Sequence, residues 1–187
     1  MASSISAAFT KLKTDELYTP PILVEPIIKH LEYYQAINNK NIVVLCPFDK
    51  KNSEFVIAIS KMEKIIVKYG HIDTGQDFFT YDYGNYDICI SNPPFSLKKK
   101  IFEKLLTEKK SFALIGNLMM LNYEIIGRLF SGYNMQILSF DRRTSFDGKP
   151  SSFMSGYFCH NFLKNDLIFE TLKNNNVGNN FIASKMT

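Results

Sequence analysis

Residues 86–95 (Tyr-Asp-Ile-Cys-Ile-Ser-Asn-Pro-Pro-Phe) constrain the fold of this chain more than any other stretch. Residues 86–90 are β-branched and aromatic enough for a buried strand. Pro93 has no amide hydrogen with which to continue a sheet ladder, and its ring biases Asn92 away from helical angles. The strand therefore stops here, and a stiff, extended loop starts at its carboxyl end. In an open α/β sheet, ligands bind at that end.

The loop has a chemistry of its own. The Asn92 side-chain oxygen and the Pro93 backbone carbonyl are both hydrogen-bond acceptors. Held together by stiff residues, they can grip an NH2 group, and Phe95 offers a flat face to a heteroaromatic ring. An amino group on a planar base such as adenine suits that arrangement. Its lone pair is delocalised into the ring and is a weak nucleophile. Acceptors on both hydrogens favour the pyramidal nitrogen, in which the lone pair is freed for attack. The plain alternative is a Pro-Pro turn after a core strand.

Strands and helices alternate along the rest of the chain. Thr19 is placed to cap a helix with Pro20 at its first position, and Pro26 restarts or kinks it. Ile27, Ile28, Leu31 and Tyr34 give that helix an apolar stripe. Residues 41–46 read as a central parallel strand that ends at Pro47-Phe48-Asp49. Ser53 then caps a helix over 54–61. Residues 64–68 form the next strand, leading to Asp73, an acid positioned to hold ribose hydroxyls in a Rossmann-like site or, equally, to form an Asx turn. After Phe95, Ser96 caps a helix over 97–108. Residues 111–120 read as a strand, 122–131 as a helix with Gly132 at its C-terminus, and 135–140 and 153–160 as strands. The class is α/β with a mostly parallel sheet. Residues 1–13 read as a flexible leader, 14–173 as a single domain, and 174–187 as a frayed tail.

Asn92-Pro93-Pro94-Phe95, directly after a hydrophobic strand and before a helix, resembles motif IV of the amino-group methyltransferases that use S-adenosylmethionine, above all the DNA adenine N6-methyltransferases. Tyr18-Thr19-Pro20 resembles motif X of that family, which precedes motif I and lines the cofactor pocket. Pro47-Phe48-Asp49 falls where motif I, Asp-Pro-Phe-x-Gly-x-Gly, is due. Cys46 stands in place of the acid and Asp49 in place of the first glycine, and the turn contains no glycine. Either the cofactor site is weakened, or another loop geometry brings the backbone close. Gly75-Gln76-Asp77-Phe78-Phe79 resembles motif III, whose acid and aromatic contact the cofactor adenine. The resemblance covers residues 14–160 in unpermuted order and is closest to small phage-type adenine-specific DNA methyltransferases.

The resemblance implies a Rossmann-like methyltransferase fold closed by an antiparallel hairpin, with S-adenosylmethionine as cofactor. Tyr18, Thr19, Pro20, Pro47, Phe48, Asp49, Asp73, Asp77 and Phe78 would hold the cofactor. Asn92, Pro93, Pro94 and Phe95 would handle the target base, flipped from the duplex. The loop between the last two strands would help to enclose it, with Phe146 or Tyr157 in the wall or simply in the core. DNA is the implied partner. Lys98, Lys99, Arg142, Arg143 and Lys149 are candidates for phosphate contact, with a solvated face the equal alternative for the lysine run at 98–100. Neither residues 49–92 nor the stretch after His160 has room for a target-recognition domain. Specificity is then loose, or a second protein chain supplies it.

Composition removes several other classes. The 187 residues fit one domain with a proper core. Cys46, Cys89 and Cys159 are scattered in apolar runs, so they read as buried free thiols of a reducing, cytoplasmic compartment rather than a disulfide frame or a zinc site. His71 has no metal-ligand partner near it in sequence and reads as a strand-end polar residue, and no metal is expected. No run is long enough to cross a membrane, and the first ten residues lack a basic region typical of a signal peptide. The net charge of +4 is compatible with nucleic acid. Two rivals stand beside DNA adenine. One is another planar amino group, on RNA, on cytosine N4 or on a protein amide. The other is a catalytically inactive relic that binds DNA or a host defence factor.

Overall fold

The computed structural model describes residues 18–144, 146 and 154–173. The expected leader, the tail and Lys149 lie outside these residues. In chain order the elements are α1 (Pro21–Asn38), β1 (Ile42–Cys46), α2 (Glu54–Ile59), β2 (Ile65–Tyr69), β3 (Ile88–Ser91), α3 (Lys98–Thr107), β4 (Ser111–Asn117), α4 (Glu124–Phe130), β5 (Met135–Phe140), β6 (Ser155–His160) and β7 (Leu167–Glu170). Short 3-10 turns at Ile72–Thr74, Phe95–Leu97 and Leu118–Asn122 follow β2, β3 and β4.

The strands form one sheet in the order β2-β1-β3-β4-β6-β5-β7. All neighbours are parallel except the pairs that β6 makes with β4 and β5. Both faces are covered, so the central strands are mostly apolar and almost wholly buried. Val44, Ile90, Ile115, Tyr157 and Phe140 face one core with Leu23, Ile27 and Leu31 of α1 and Phe55 of α2. Leu45, Cys89, Leu114 and Phe158 face the other, with Ile101, Phe102 and Leu105 of α3 and Phe130 of α4. The α/β class, the parallel sheet and its antiparallel closure agree with the sequence reading.

The details of several elements differ from that reading. Pro20, not Thr19, caps α1, and Pro21 takes the first helical position. Pro26 does not interrupt the helix. It lies near the start, where its fixed φ is already helical and a single backbone bond is lost. Ser53 caps α2 as expected, accepting from Val56 N at 3.3 Å. Ser96 does not cap α3, because a 3-10 turn runs from Phe95 to Leu97 and makes Leu97 the cap residue. β4 ends at Asn117, three residues before the expected end. There the Asn117 side chain accepts from Met119 N at 2.9 Å and starts a 3-10 turn. β7 was not foreseen. Its four residues alternate between half-buried and exposed and depend on pairing with β5 for their order.

Candidate functional site

The order of strands reverses between β1 and β3. β2 lies on one side of β1, and β3 and β4 continue on the other. Such a switch point opens a crevice at the carboxyl ends of the two strands. The turn 47–49 leaves β1 there, and Asn92-Pro93-Pro94-Phe95 leaves β3 beside it.

A small pocket of about 40 Å³ lies in that crevice. Its wall is made by Pro47 and Phe48 after β1, His71 and Ile72 after β2, the segment Gln76, Asp77, Phe78 and Phe79, and Asn92, Pro94 and Leu97 after β3. Phe48 meets Phe78 edge-on at 5.2 Å between ring centroids, and Phe78 meets Phe79 at 5.5 Å. These edge-to-face contacts stiffen an aromatic wall. Asp77 is held in place by its own turn, Oδ1 accepting from Phe79 N at 2.9 Å. Pro47, Phe48, Asp77, Phe78, Asn92 and Pro94 are thus brought together from three segments far apart in sequence. A second cleft adjoins the pocket, lined by Asp49, Lys50, Asn52, Gly70, His71 and Gln76 among others. His71 and Gln76 belong to both walls.

The glycine-free turn after β1 has a backbone solution of its own. None of residues 47–53 has a left-handed φ, so the turn needs no glycine. Instead the turn is stitched to β2. Asp49 N donates to Gly70 O at 3.0 Å, and Gly70 N donates to Cys46 O at 3.2 Å. Gly70, directly after β2, takes part in both bonds and lies against Tyr83. A Cβ at Gly70 would sit 2.8 Å from the Tyr83 ring, and Tyr83 is fixed by donating its hydroxyl to Gln76 O at 2.8 Å.

The Asp49 carboxylate is buried behind this turn. Ser91, the last residue of β3, donates its hydroxyl to Asp49 Oδ2. Burial pushes the Asp49 carboxyl up to about 6, opposed in part by the hydrogen bonds from Ser91 and Ser53. Asp49 therefore ties the turn after β1 to the residue preceding Asn92.

Other expected site residues are placed differently. Asp73 lines neither cavity, and its carboxylate pairs with Lys50 Nζ at 2.8 Å. Tyr18 is exposed, Thr19 is buried and Pro20 is half-buried, and none of the three lines the pocket. Pro93 is buried, while Phe95 is 48% exposed at the mouth of the loop. Lys98 is buried rather than part of a solvated face, with its ammonium 5.4 Å from the Phe95 ring centroid. Lys99 is exposed and pairs with Glu103 at 3.4 Å. Arg142 donates to Leu172 O and to Asp141 Oδ2, fastening the segment after β7 to the end of β5. Arg143 is exposed. Phe146 and Tyr157 both belong to the core, with the Tyr157 hydroxyl donating to Leu23 O at 2.8 Å.

The sequence reading missed His71, Ile72, Gln76 and Leu97 as wall residues. For His71 a signal existed, since it stands directly after the β2 strand. It also missed the exposed Met119, Leu121 and Tyr123, which follow β4 at the same end of the sheet. In sequence Met119 reads as buried strand and Tyr123 as part of the following helix.

No family model and no curated protein matches the sequence. Among solved structures, the chain is similar to a protein from Listeria monocytogenes described as a class I S-adenosylmethionine-dependent methyltransferase, with a TM-score of 0.51 and 11% identity over 82% of this chain and 65% of that one. A protein from Agrobacterium tumefaciens described as an O-methyltransferase gives a TM-score of 0.47 at 10% identity, over 82% of this chain and 85% of that one. The chain therefore spans slightly less than two thirds of the Listeria protein. At these identities the likeness establishes the α/β methyltransferase-type fold.

Proposed function

We propose that this chain transfers a methyl group from S-adenosylmethionine to the exocyclic N6 amino group of adenine in DNA. One observation carries the reading: Asn92 and Pro94 of the Asn-Pro-Pro-Phe loop stand in the wall of an aromatic pocket at the switch point of the sheet. A loop suited to gripping an amino group thus borders a pocket suited to an adenosyl group.

The residues present fit the cofactor. Phe48, Phe78 and Phe79 offer flat apolar surface to its adenine, and Asp77 and Gln76 offer polar groups at the edge. When bound, S-adenosylmethionine supplies an electrophilic sulfonium methyl, whose carbon–sulfur bond breaks as the carbon–nitrogen bond forms. The Asn92 side-chain oxygen and the Pro93 carbonyl hold the two hydrogens of the target amino group. Phe95, exposed beside them, provides the stacking face for the base. The methylated nitrogen is strongly acidic and releases its extra proton to water, so the site needs no strong base. Positioning supplies much of the rate.

The test is Asn92→Ala. Transfer of labelled methyl to adenine-containing DNA is expected to fall by about 100-fold or more, the cost of removing one preorganised polar contact to a transition state. Affinity for S-adenosylhomocysteine is expected to stay within about twofold, because the contact removed is one to the acceptor's amino group. Normal turnover in this variant would remove the proposed mechanism. Labelling of RNA or of protein in preference to DNA would move the acceptor while keeping the chemistry.

A second reading, a binding module without catalysis, draws on the same turn. The Asp49 amide, at the position of the first glycine of a glycine-rich turn, is already bonded to Gly70 O. Failure of wild-type protein to bind S-adenosylhomocysteine, with and without DNA, would favour it.

A further inference from the structure

We propose that the exposed apolar ridge after β4 is the surface on which an unpaired DNA strand lies, so that the acceptor adenine is presented from single-stranded DNA and not from an intact duplex. The inference rests on the DNA reading above and narrows its substrate.

One short segment builds the ridge. β4 ends at Asn117, whose side chain accepts from Met119 N at 2.9 Å and turns the chain out of the sheet. Met120 and Ile126 then anchor the segment in the core shared by α3 and α4. Met119, Leu121, Tyr123 and Ile125 are left 48–57% exposed. Large apolar side chains gathered in one exposed stretch mark a contact surface, whereas scattered ones do not.

The ridge continues into the loop that handles the acceptor. The Lys98 ammonium lies 5.4 Å from the Phe95 ring centroid. It also lies 3.1 Å from the point where a Cβ on Gly116 would stand. Phe95 is thereby brought beside the end of β4, and it too is about half exposed. Two aromatic side chains, Phe95 and Tyr123, and two flexible apolar ones, Met119 and Leu121, thus share one rim of the sheet.

The partner follows from what such side chains can touch. An intact duplex stacks its base faces on one another and offers phosphates, sugars and groove edges. Aromatic side chains meet base faces where a strand is unstacked, and every base has such a face. The charge also fits a single strand. The first turn of α3, close behind Phe95 in sequence, carries exposed Lys99 and Lys100 and no acid. Lys99 pairs with Glu103 one turn further on, at 3.4 Å. On the ridge itself Glu124 and Arg128 pair at 2.5 Å and leave no net charge. A rim rich in apolar surface with few cations suits the bases and phosphates of one strand better than the two phosphate rows of a duplex.

Binding is measured by fluorescence anisotropy with the full chain and a labelled, adenine-containing strand of about 12 nucleotides, alone or annealed to its complement. The single strand is expected to bind about tenfold more tightly than the duplex. Its log K should fall against log salt with a slope of about −1 to −2, as for roughly two phosphate contacts. Tyr123→Ala should weaken single-strand binding about tenfold, and Tyr123→Phe should restore it. Tyr133, a comparably exposed tyrosine ahead of β5 at the opposite end of the sheet, is the control. Tyr133→Ala should leave binding unchanged. Unmoved urea midpoints will show that these surface variants fold.

A duplex held as tightly as the single strand, or unchanged single-strand binding in Tyr123→Ala, would overturn the proposal. So would a dimer in sedimentation that Leu121→Glu converts to monomer, since the ridge would then belong to a second copy of the chain. Methyl transfer to duplex DNA is assayed separately, so the reaction proposed above would survive all three. No transfer to DNA in either form, with single-strand binding intact, would remove that reaction and leave the surface assigned. Absence of binding to either form of DNA would overturn both.

Discussion

At the scale of single residues, Asp49 shows how a buried group can serve local order at a cost to global stability. Its carboxyl is raised from 3.8 to about 6, mainly by burial. The folded state therefore binds its proton more tightly than the unfolded state does. Its contribution to stability is fully present below the unfolded value of about 4 and is lost as pH rises through about 6. At neutral pH the ionised form costs on the order of 2–3 kcal/mol, at 1.36 kcal/mol per unit. Asp49→Asn should accordingly gain stability relative to wild type as pH rises from about 4 to 7. Urea denaturation of both proteins at the two pH values reads that difference directly. A constant difference would mean that the Ser91 and Ser53 hydrogen bonds offset the burial completely. Retention of a costly carboxylate between β1 and β3 is understandable if the alignment of Asn92 depends on it. That view predicts a lower methyl-transfer rate for Asp49→Asn alongside its stability gain.

At the scale of elements, α3 is the support on which the Asn-Pro-Pro-Phe loop stands. Phe102 on its inner face meets Phe130 of α4 at 5.0 Å, Phe112 of β4 at 5.6 Å and Phe158 of β6 at 5.8 Å. These rings join two helices and two strands in one cluster. Phe102→Ala should destabilise the protein by about 3–5 kcal/mol, the range for truncating a buried phenylalanine. The shift in the urea midpoint at unchanged slope is the measurement. Strand and helix types were legible from hydrophobic runs, because strands buried on both faces leave an unbroken apolar signature. Element ends were less legible. The end of β4 depends on an Asn117 side chain turning back onto Met119 N, and the cap of α3 depends on a 3-10 turn after two prolines. Both are choices between nearly equal local geometries, decided by what each segment packs against. β7 left almost no local signal, since it exists only through its partner β5.

At the scale of the whole molecule, all three cysteines lie on central strands with no exposed surface, and burial raises each thiol well above its ordinary value. A thiol reagent at neutral pH should therefore leave the native protein unlabelled and modify three cysteines in urea, so that labelling reports opening of the sheet. Rapid labelling of native protein would show that the strands flanking the crevice open locally. The sequence alone determined the α/β class, the parallel sheet with its antiparallel closure, and the position of Asn-Pro-Pro-Phe at a strand end, because burial on two faces and the rigidity of proline act locally. Only the tertiary structure decided which residues share the pocket. Strand order brought the turn after β1, the segment 76–79 and the loop after β3 together across dozens of residues. The same order stitched the glycine-free first turn to Gly70, turned Asp73 outward, and put His71 in the wall. Each of these placements follows from contacts between distant segments, and no local pattern in a chain records such contacts.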